Sequence, residues 1–597
     1  PYMRQYLQPQ AELILYGKPE YYAGRLQMSN PEFEPVSDAA RDESLNIGRI
    51  VPVYSVPSGM GQRSFRKLMK LALDTYSGRI EDFLPQDVRT GNDLCDLTQS
   101  ITNIHFPGNG ELQRAAYLRL AFEEFFLFQV PLMIRKSRQE YLPGISHKTS
   151  GPIVDAFIKG LPFDLTESQR QVISEIGVDM AANQAMRRLL QGDVGSGKTV
   201  VATIAALMAV QGSYQAAFMV PTEILARQHY DKIVSQIKCG VAPANDVRAE
   251  LLTGSTRAND KKRIISSIAR GGVDIVIGTH ALLEEEVRFK DLGLVVIDEQ
   301  HRFGVGQRAL LPKKGKNPDV LIMTATPIPR TLAITIYGDL DISAIRALPP
   351  GRKPVATQWI TEGKRGWLYD LIRQQAHSGR QVYVVYPLIE ESFAMDLLSA
   401  ERMYAEFKDK TFRDLRVGLV HGKLPQTEQN RIMGEFKSGE IQVLIATTVL
   451  EVGIDVANAT VMVIEHADRF GLAQLHQLRG RIGRGAFAST CILVSDSRTD
   501  EAKARLEAMV ASSDGFVIAE EDLKLRGPGE YFGSRQHGLT GLRIGNPLTQ
   551  MHLLQKARKE AMRIVTADPH LRALTNQALK RRLVQRFPEY EKLMVVG

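Results

Sequence analysis

The sequence predicts an α/β protein built on two parallel-sheet lobes, with a short β segment and a helical region before them and a helical tail after them. Three observations carry this reading. Short apolar runs alternate with helical periodicity from about 155 to 345 and again from about 355 to 498, the pattern of parallel strands joined by crossovers. A Pro/Gly stretch, Leu348-Pro349-Pro350-Gly351-Arg352-Lys353-Pro354, separates the two blocks as a stiff linker. The length, 597 residues, suggests about four domains at roughly 150 residues each.

Residues 1–56 read as β, with runs such as Glu12 to Tyr16 and Arg25 to Met28 between Gly and Pro punctuation. Residues 57–154 turn helical: Phe65, Leu68, Met69 and Ala72 fall at helical spacing, as do Leu118, Phe122, Phe125 and Phe126. The second set is read as a buried helix face rather than a binding stripe. The first lobe, 155–347, carries strands at Ala216 to Val220, Val273 to Ile277, Leu294 to Ile297 and Val320 to Met323. The second, 348–498, carries them at Gln381 to Tyr386, Ile441 to Ala446, Val461 to Ile464 and Thr490 to Val494. The tail, 499–597, is helical, broken by a Gly-rich segment from Gly527 to Gly545.

Composition narrows the class. Hydrophobic residues at 44% and charged residues at 24% exclude wholesale disorder. No apolar run approaches the roughly 20 residues of a bilayer span, so no membrane partner is expected. Three scattered cysteines, Cys95, Cys239 and Cys491, exclude a disulfide framework and fit a reducing compartment. A net charge of +8 permits a polyanionic partner such as nucleic acid without requiring one. Pro1 and the lack of a signal peptide pattern make the start read as the edge of a fragment or of an ordered region.

Gly192-Asp193-Val194-Gly195-Ser196-Gly197-Lys198-Thr199 matches the phosphate-binding P-loop in full, after a plausible strand end and before an apolar helix. Glycines let backbone N–H groups close around phosphates, and the helix N-terminus adds its dipole. Lys198 would reach the β- and γ-phosphates and Thr199 would hold Mg²⁺. The run Leu294 to Ile297 ends in Asp298-Glu299-Gln300-His301. There Asp298 can hold Mg²⁺ through water and Glu299 can position or deprotonate the attacking water. Thr324-Ala325-Thr326-Pro327 follows another apolar strand, and its hydroxyls could link the nucleotide site to a moving element. Gln477 to Gly485 holds Arg479, Arg481 and Arg484. It reads as a basic helix start, a phosphate-backbone patch, or an arginine finger in which Arg481 and Arg484 neutralise charge on the γ-phosphate.

In that order these segments resemble a superfamily 2 helicase. Phe163, Thr166 and Gln169 resemble its adenine-reading element. Pro221-Thr222-Glu223, Thr253-Gly254 and Gly278-Thr279-His280 resemble the strand-tracking motifs of lobe 1. His421-Gly422 and the run Ala446 to Asp455, with Thr447, Gly453 and Asp455, resemble those of lobe 2. Across nearly the whole chain the resemblance is to the RecG family of branch-migrating DNA helicases. Its sharpest pieces are Asp298 to Gln307, Met323 to Leu332, Gly471 to Gly485 and Asp522 to Gly538. The first three are also similar to the transcription-repair coupling factor; the last fits RecG better.

The resemblance implies two RecA-like helicase lobes, an N-terminal partial OB-fold wedge over 1–56 and a C-terminal helical hairpin and loop that lever duplex DNA. It places Gly453 and Asp455 at the ATP, and Thr222, Thr279, His301, Thr324, Thr326 and Thr447 along DNA or the coupling path. Arg505 falls in the hairpin, and Arg526, Arg535 and Gln536 in the loop region; a C-terminal packing extension is the plainer reading of that tail. The N-terminus departs from the family pattern, with only the last wedge strands in sight. Lys18, Tyr21, Tyr22 and Arg25 could meet DNA there, though a simple hairpin surface is the plainer reading. The expected activity is an ATP- and Mg²⁺-dependent translocase on branched double-stranded DNA. The resemblance further implies a monomer that meets single-strand binding protein, placed at the nucleoid of a bacterial cytoplasm or in an organelle of bacterial descent. The alternatives are a motor of the same class acting on RNA or a stalled polymerase, and a DNA-binding scaffold with a spent nucleotide site.

Overall fold

A computed structural model describes residues 13–35 except 23 and 29–31, 45–46, 49–140, 143–299 except 241, 310–324, 340–347, 349, 354–387, 393–447, 456–497 except 486, 499–533, and 542–587 except 548. The chain divides into two compact units, 136–541 and a second made of 1–135 with 542–597.

The N-terminal residues form two antiparallel pairs. β1 (Leu13–Tyr16) pairs with β4 (Glu32–Pro35), and between them β2 (Pro19–Tyr22) pairs with β3 (Arg25–Met28). The β2–β3 hairpin leaves Tyr21 and Tyr22 81% and 70% exposed. Helices α1 (Gln62–Tyr76), α2 (Gln86–Gly91), α3 (Leu97–His105) and α4 (Gly110–Glu140) follow. The apolar stripe expected on α1 is rotated. Leu68 is 52% exposed, whereas Leu73 and Arg66 are buried. Arg66 earns its buried place by donating to Pro52 O (3.0 Å) and Asn46 Oδ1 (3.1 Å), which a spacing argument on apolar residues does not anticipate. On α4 three residues of the expected face enter the core, with Phe122, Phe125 and Phe126 fully buried, whereas Leu118, one turn earlier, is exposed.

The first lobe begins with α5 (Pro152–Gly160) and α6 (Glu167–Ala181). Then come β5 (Arg187–Gly192), α7 (Lys198–Gln211), β6 (Gln215–Met219), α8 (Glu223–Cys239), β7 (Ala249–Leu252), α9 (Ala258–Arg270), β8 (Ile275–Gly278), β9 (Leu292–Asp298), β10 (Asp319–Thr324) and β11 (Asp341–Ile345). The strands pair in parallel in the order β11-β5-β10-β9-β6-β8-β7. Successive side chains of a strand face opposite ways, so Leu190 enters the core under α7 and Leu189 the core on the other face. The apolar stretch from Val200 is α7, buried along most of its length in that core. No helix among the described residues is long and apolar enough to cross a membrane.

The second lobe repeats the plan with β12 (Ala356–Ile360), α10 (Arg365–His377), β13 (Gln381–Val385), α11 (Phe393–Glu406), β14 (Val417–Val420), α12 (Gln426–Ser438), β15 (Val443–Ala446), β16 (Ala459–Ile464), α13 (Leu472–Arg479) and β17 (Thr490–Val494). Its parallel order is β12-β17-β16-β13-β15-β14. Helices α14 (Asp500–Ala511) and α15 (Gly515–Gly533) then form a hairpin whose Leu506, Met509 and Ile518 share one core with Leu475 and Leu478 of α13. The helix runs on to Gly533, so the break expected at Gly527 falls later. Finally α16 (Met551–Ala567) and α17 (Gln577–Arg586) return to the N-terminal helices, burying Leu554, Ile564 and Leu583 with the phenylalanines of α4.

Candidate active site

The register of the first sheet places the nucleotide motifs at one edge. β10 lies between β5 and β9, pairing Thr324 with Gln191 on one side and Met323 with Asp298 on the other. At roughly 4.8 Å per strand, the P-loop after β5 and the acids after β9 stand about 10 Å apart, beyond the carboxyl ends of the strands where open α/β sheets bind ligands.

The P-loop needs its glycines. Gly195 and Gly197 have φ of +78° and +91°, the left-handed region that costs other residues strain. A Cβ on Gly197 would also run into Gln169 Nε2. Gln169 is 2% exposed and supports the loop, donating Nε2–H to Ser196 O (2.8 Å). Its Oε1 accepts the Thr166 N–H (2.9 Å), closing a capping box on α6. Phe163, just before α6, is 46% exposed. Ser196 Oγ is buried and finds no hydrogen-bond partner among the described residues, an orphan that a phosphate oxygen would satisfy.

Lys198 opens α7. Its Nζ–H groups donate to Gly192 O (2.7 Å) and Asp193 O (2.9 Å). Burial pulls its pKa down from the usual lysine value, against the pull of Asp298, Glu299 and Asp193. The positive charge of Arg484 pushes it the same way as burial, so the arginine segment of the second lobe reaches this site electrostatically. Burial would raise the Asp298 carboxyl, but the His229 bond, Lys198 and the Glu299 N–H together hold it below its usual range. Glu299 has φ +50°, an uncommon conformation for a residue with a side chain and one that clusters at functional sites. Thr199, the second residue of α7, and Asp298 offer the hard oxygen donors that suit Mg²⁺.

The second lobe touches the P-loop directly. His476 Nε2–H donates to Asp193 Oδ1 at 2.5 Å, and a Cβ on Gly480 would stand 2.7 Å from Val194 Cβ. Only a glycine admits that approach. Burial raises Asp193, while the His476 bond, the Val194 N–H and Lys198 outweigh it and leave the carboxyl low. His476 Nδ1 accepts from Arg479 (3.0 Å), which can only donate, so the ring proton sits on Nε2 facing Asp193. Arg479, 3% exposed, spends its other N–H groups on Met509 O (3.0 Å), Ser512 O (2.7 Å) and Ser513 O (3.1 Å) at the turn of the α14–α15 hairpin. Of the three arginines in the segment, Arg479 thus serves the hairpin, while Arg481 and Arg484 follow it half-buried.

Other expected positions are distributed along the same edges. Thr222 caps α8, Thr279 follows β8 and opens the 3-10 turn His280–Leu283, and Thr324 ends β10. Thr447 follows β15 and is fully buried. Arg505, on α14, donates to Phe470 O (3.1 Å) ahead of α13. Arg526 lies on α15. His301, Thr326, Gly453, Asp455, Arg535 and Gln536 lie outside the described residues. Sequence reasoning missed His229 and His476 as partners of the site. A lone helical histidine carries no signal of its own, although His476 stands inside Gly471 to Gly485, a segment already singled out for its resemblance, and directly before the arginine run.

Comparison with known proteins agrees along the chain. The model of the RecG wedge domain matches residues 1–75, and that of the DEAD/DEAH box helicase matches 166–334. The helicase conserved C-terminal domain matches 363–486, and the C-terminal part of RecG domain 3 matches 512–588. The wedge match takes in α1 as well as the four strands. The ATP-dependent DNA helicase RecG of Synechocystis is 45% identical over 98% of this chain and 69% of its own. That of Thermotoga maritima is 44% identical over 92% and 69%. A structure of RecG bound to a three-way DNA junction superposes with a TM-score of 0.73, at 41% identity, over 93% of this chain and 72% of that one. With its motifs, its two lobes and its hairpin in the same order as these relatives, the chain belongs to the RecG family of ATP-dependent DNA helicases.

Proposed function

We propose that this chain couples ATP hydrolysis, with Mg²⁺, to movement along double-stranded DNA and so remodels branched DNA such as stalled forks and Holliday junctions. The observation that supports this best is the continuous bonded path from the P-loop to the hairpin: Asp193 to His476, His476 to Arg479, and Arg479 to the carbonyls of Ser512 and Ser513. A P-loop that only bound nucleotide would need no such path.

ATP with Mg²⁺ supplies the scissile phosphoanhydride, and the chain's own residues do the rest. P-loop N–H groups and Lys198 hold the β- and γ-phosphates, and Thr199 and Asp298 would hold the metal, which would neutralise phosphate charge. Glu299 orients the attacking water and takes its proton. Arg481 and Arg484 neutralise the charge that grows on the transferred group, and their fork-shaped guanidiniums suit this better than lysine. Closing the lobes brings the arginines to the phosphates, which ties hydrolysis to a displacement of α13 and the hairpin it holds. The exposed Tyr21 and Tyr22 offer stacking surfaces for unpaired bases at a branch point.

The test is Lys198→Ala assayed for ATP turnover and for unwinding of a fork in one preparation. Loss of both is expected. Turnover at the parent rate would contradict the assignment of the site.

A further inference from the structure

We propose that His229 is a positioning residue that ties the DNA-tracking loops of lobe 1 to Asp298, and so makes Mg²⁺ retention respond to DNA. The proposal rests on the function proposed above, in which Asp298 serves the metal, and on the resemblance that places Thr222 and Thr253-Gly254, next to Ser255, among the strand-tracking motifs of lobe 1.

His229 lies two turns into α8, and its Nε2–H donates to Asp298 Oδ2 at 2.9 Å. The other carboxylate oxygen of Asp298 accepts the Glu299 N–H at 3.1 Å. The imidazole therefore fixes the rotation of the carboxylate, and the backbone alone does not. An imidazole bonded to a metal-binding carboxylate orients the donor and tunes its basicity, and losing such a partner costs about tenfold or more in metal affinity.

The helix that carries His229 is fastened to the loops at its other end. Thr222 Oγ1 accepts the Leu225 N–H (3.4 Å) at the N-cap. Glu223 takes the Ser255 N–H on Oε1 (2.9 Å) and the Ser255 hydroxyl on Oε2 (2.6 Å). Thr253 and Ser255 share a further hydroxyl bond at 3.1 Å. At 1.5 Å per residue, Thr222 and His229 are about 10 Å apart along the axis. Between and beyond them Ala226 and Ile233 are fully buried in the lobe core. A short rod held this way does not bend between its ends. A ligand that shifts the Thr222–Ser255 end by a fraction of an ångström moves the imidazole, and with it the Asp298 carboxylate.

The test compares His229→Leu, His229→Gln and His229→Asn in the full chain. Gln places an amide N–H where Nε2 stands; Asn reaches only the place of Nδ1. Two quantities are read: the Mg²⁺ concentration that half-saturates tight binding of a fluorescent ADP, without turnover, and the ratio of DNA-stimulated to basal ATPase. His229→Leu is expected to raise the Mg²⁺ requirement about tenfold and to flatten the DNA stimulation, with metal-free ADP binding unchanged. His229→Gln is expected to restore both, and His229→Asn to resemble Leu. Should the Leu variant not fold, the Gln and Asn pair decides. Parent-like values in Leu or Asn, or a Gln variant no better than Leu, would overturn the proposal. If DNA fails to stimulate the parent chain, the proposed function falls, and Mg²⁺-dependent ADP binding still decides the part played by His229.

Discussion

Asp193 is held by three neighbours at once: His476 from the other lobe, the Val194 N–H beside it and Lys198. Its folded pKa lies below the ordinary carboxylate value, so its share of stability is whole above that value, near 3.9, and is lost as pH falls through the folded one. The difference in melting temperature between the parent and Asp193→Asn is therefore expected to stay constant from neutral pH to about 5 and to shrink in stronger acid. A difference that changes between pH 8 and 6 would mean that another group governs the contact. The P-loop and the Asp298-Glu299 pair are legible in the sequence because each motif is local and its chemistry is written in consecutive residues. The pairs His229–Asp298 and His476–Asp193 are not, since the partners lie 69 and 283 residues apart and only the fold brings them together.

Among the elements, α13 joins the nucleotide edge to the hairpin through one guanidinium. Truncating Arg479 removes its donors from the buried carbonyl of Met509 and the part-buried bonds to Ser512 and Ser513. Arg479→Ala is expected to cost about 3 kcal/mol, read as a lower unfolding midpoint, and Arg479→Lys to recover little, because an ammonium cannot match the fork. A parent-like midpoint for Arg479→Lys would show that the turn needs only a charge. A second such device sits in the other unit. Glu124 on α4 accepts the N–H groups of Arg543, Ile544 and Gly545 at 2.8, 2.8 and 2.9 Å. Glu124→Ala is expected to raise amide hydrogen exchange at Arg543 to Gly545 by at least tenfold, since one bond to a charged group is worth about 1.5 kcal/mol or more. Unchanged exchange there would refute the clamp.

Strand legibility follows burial. β6, β8, β9 and β10 are buried on both faces and read as continuous apolar runs. β7 and β14 each close one edge of a sheet and are only partly buried; Glu250 interrupts the first and Gly418 the second, so neither stands out as an apolar run. The shift of the apolar face on α1 has a similar cause, because a hydrogen-bonded arginine occupies a place that periodicity reserves for a hydrophobe.

For the whole molecule, the two-lobe plan was open to sequence reasoning, since alternating strands and helices imply parallel sheets whatever their sequence of pairing. The division into units was not. Residues 542–587 pack with the N-terminal helices through scattered contacts such as Leu554 and Ile564 against the phenylalanines of α4, which no local pattern announces. The expected tail module of 499–597 is thus shared between two units: its hairpin is built into the second lobe and its last helices into the N-terminal bundle. The motor reading joins these parts in one cycle, with hydrolysis at the lobe interface, force through α13 and the hairpin, and recognition of the branch by the N-terminal strands and helices. Its most direct test is steady-state ATPase with a four-way DNA junction, linear duplex DNA and single-stranded RNA at one fixed salt concentration, because polyanion binding is salt-dependent. The junction is expected to stimulate hydrolysis most, linear duplex less and RNA least; RNA equal to the junction, or no stimulation by any DNA, would contradict a motor that remodels branched DNA.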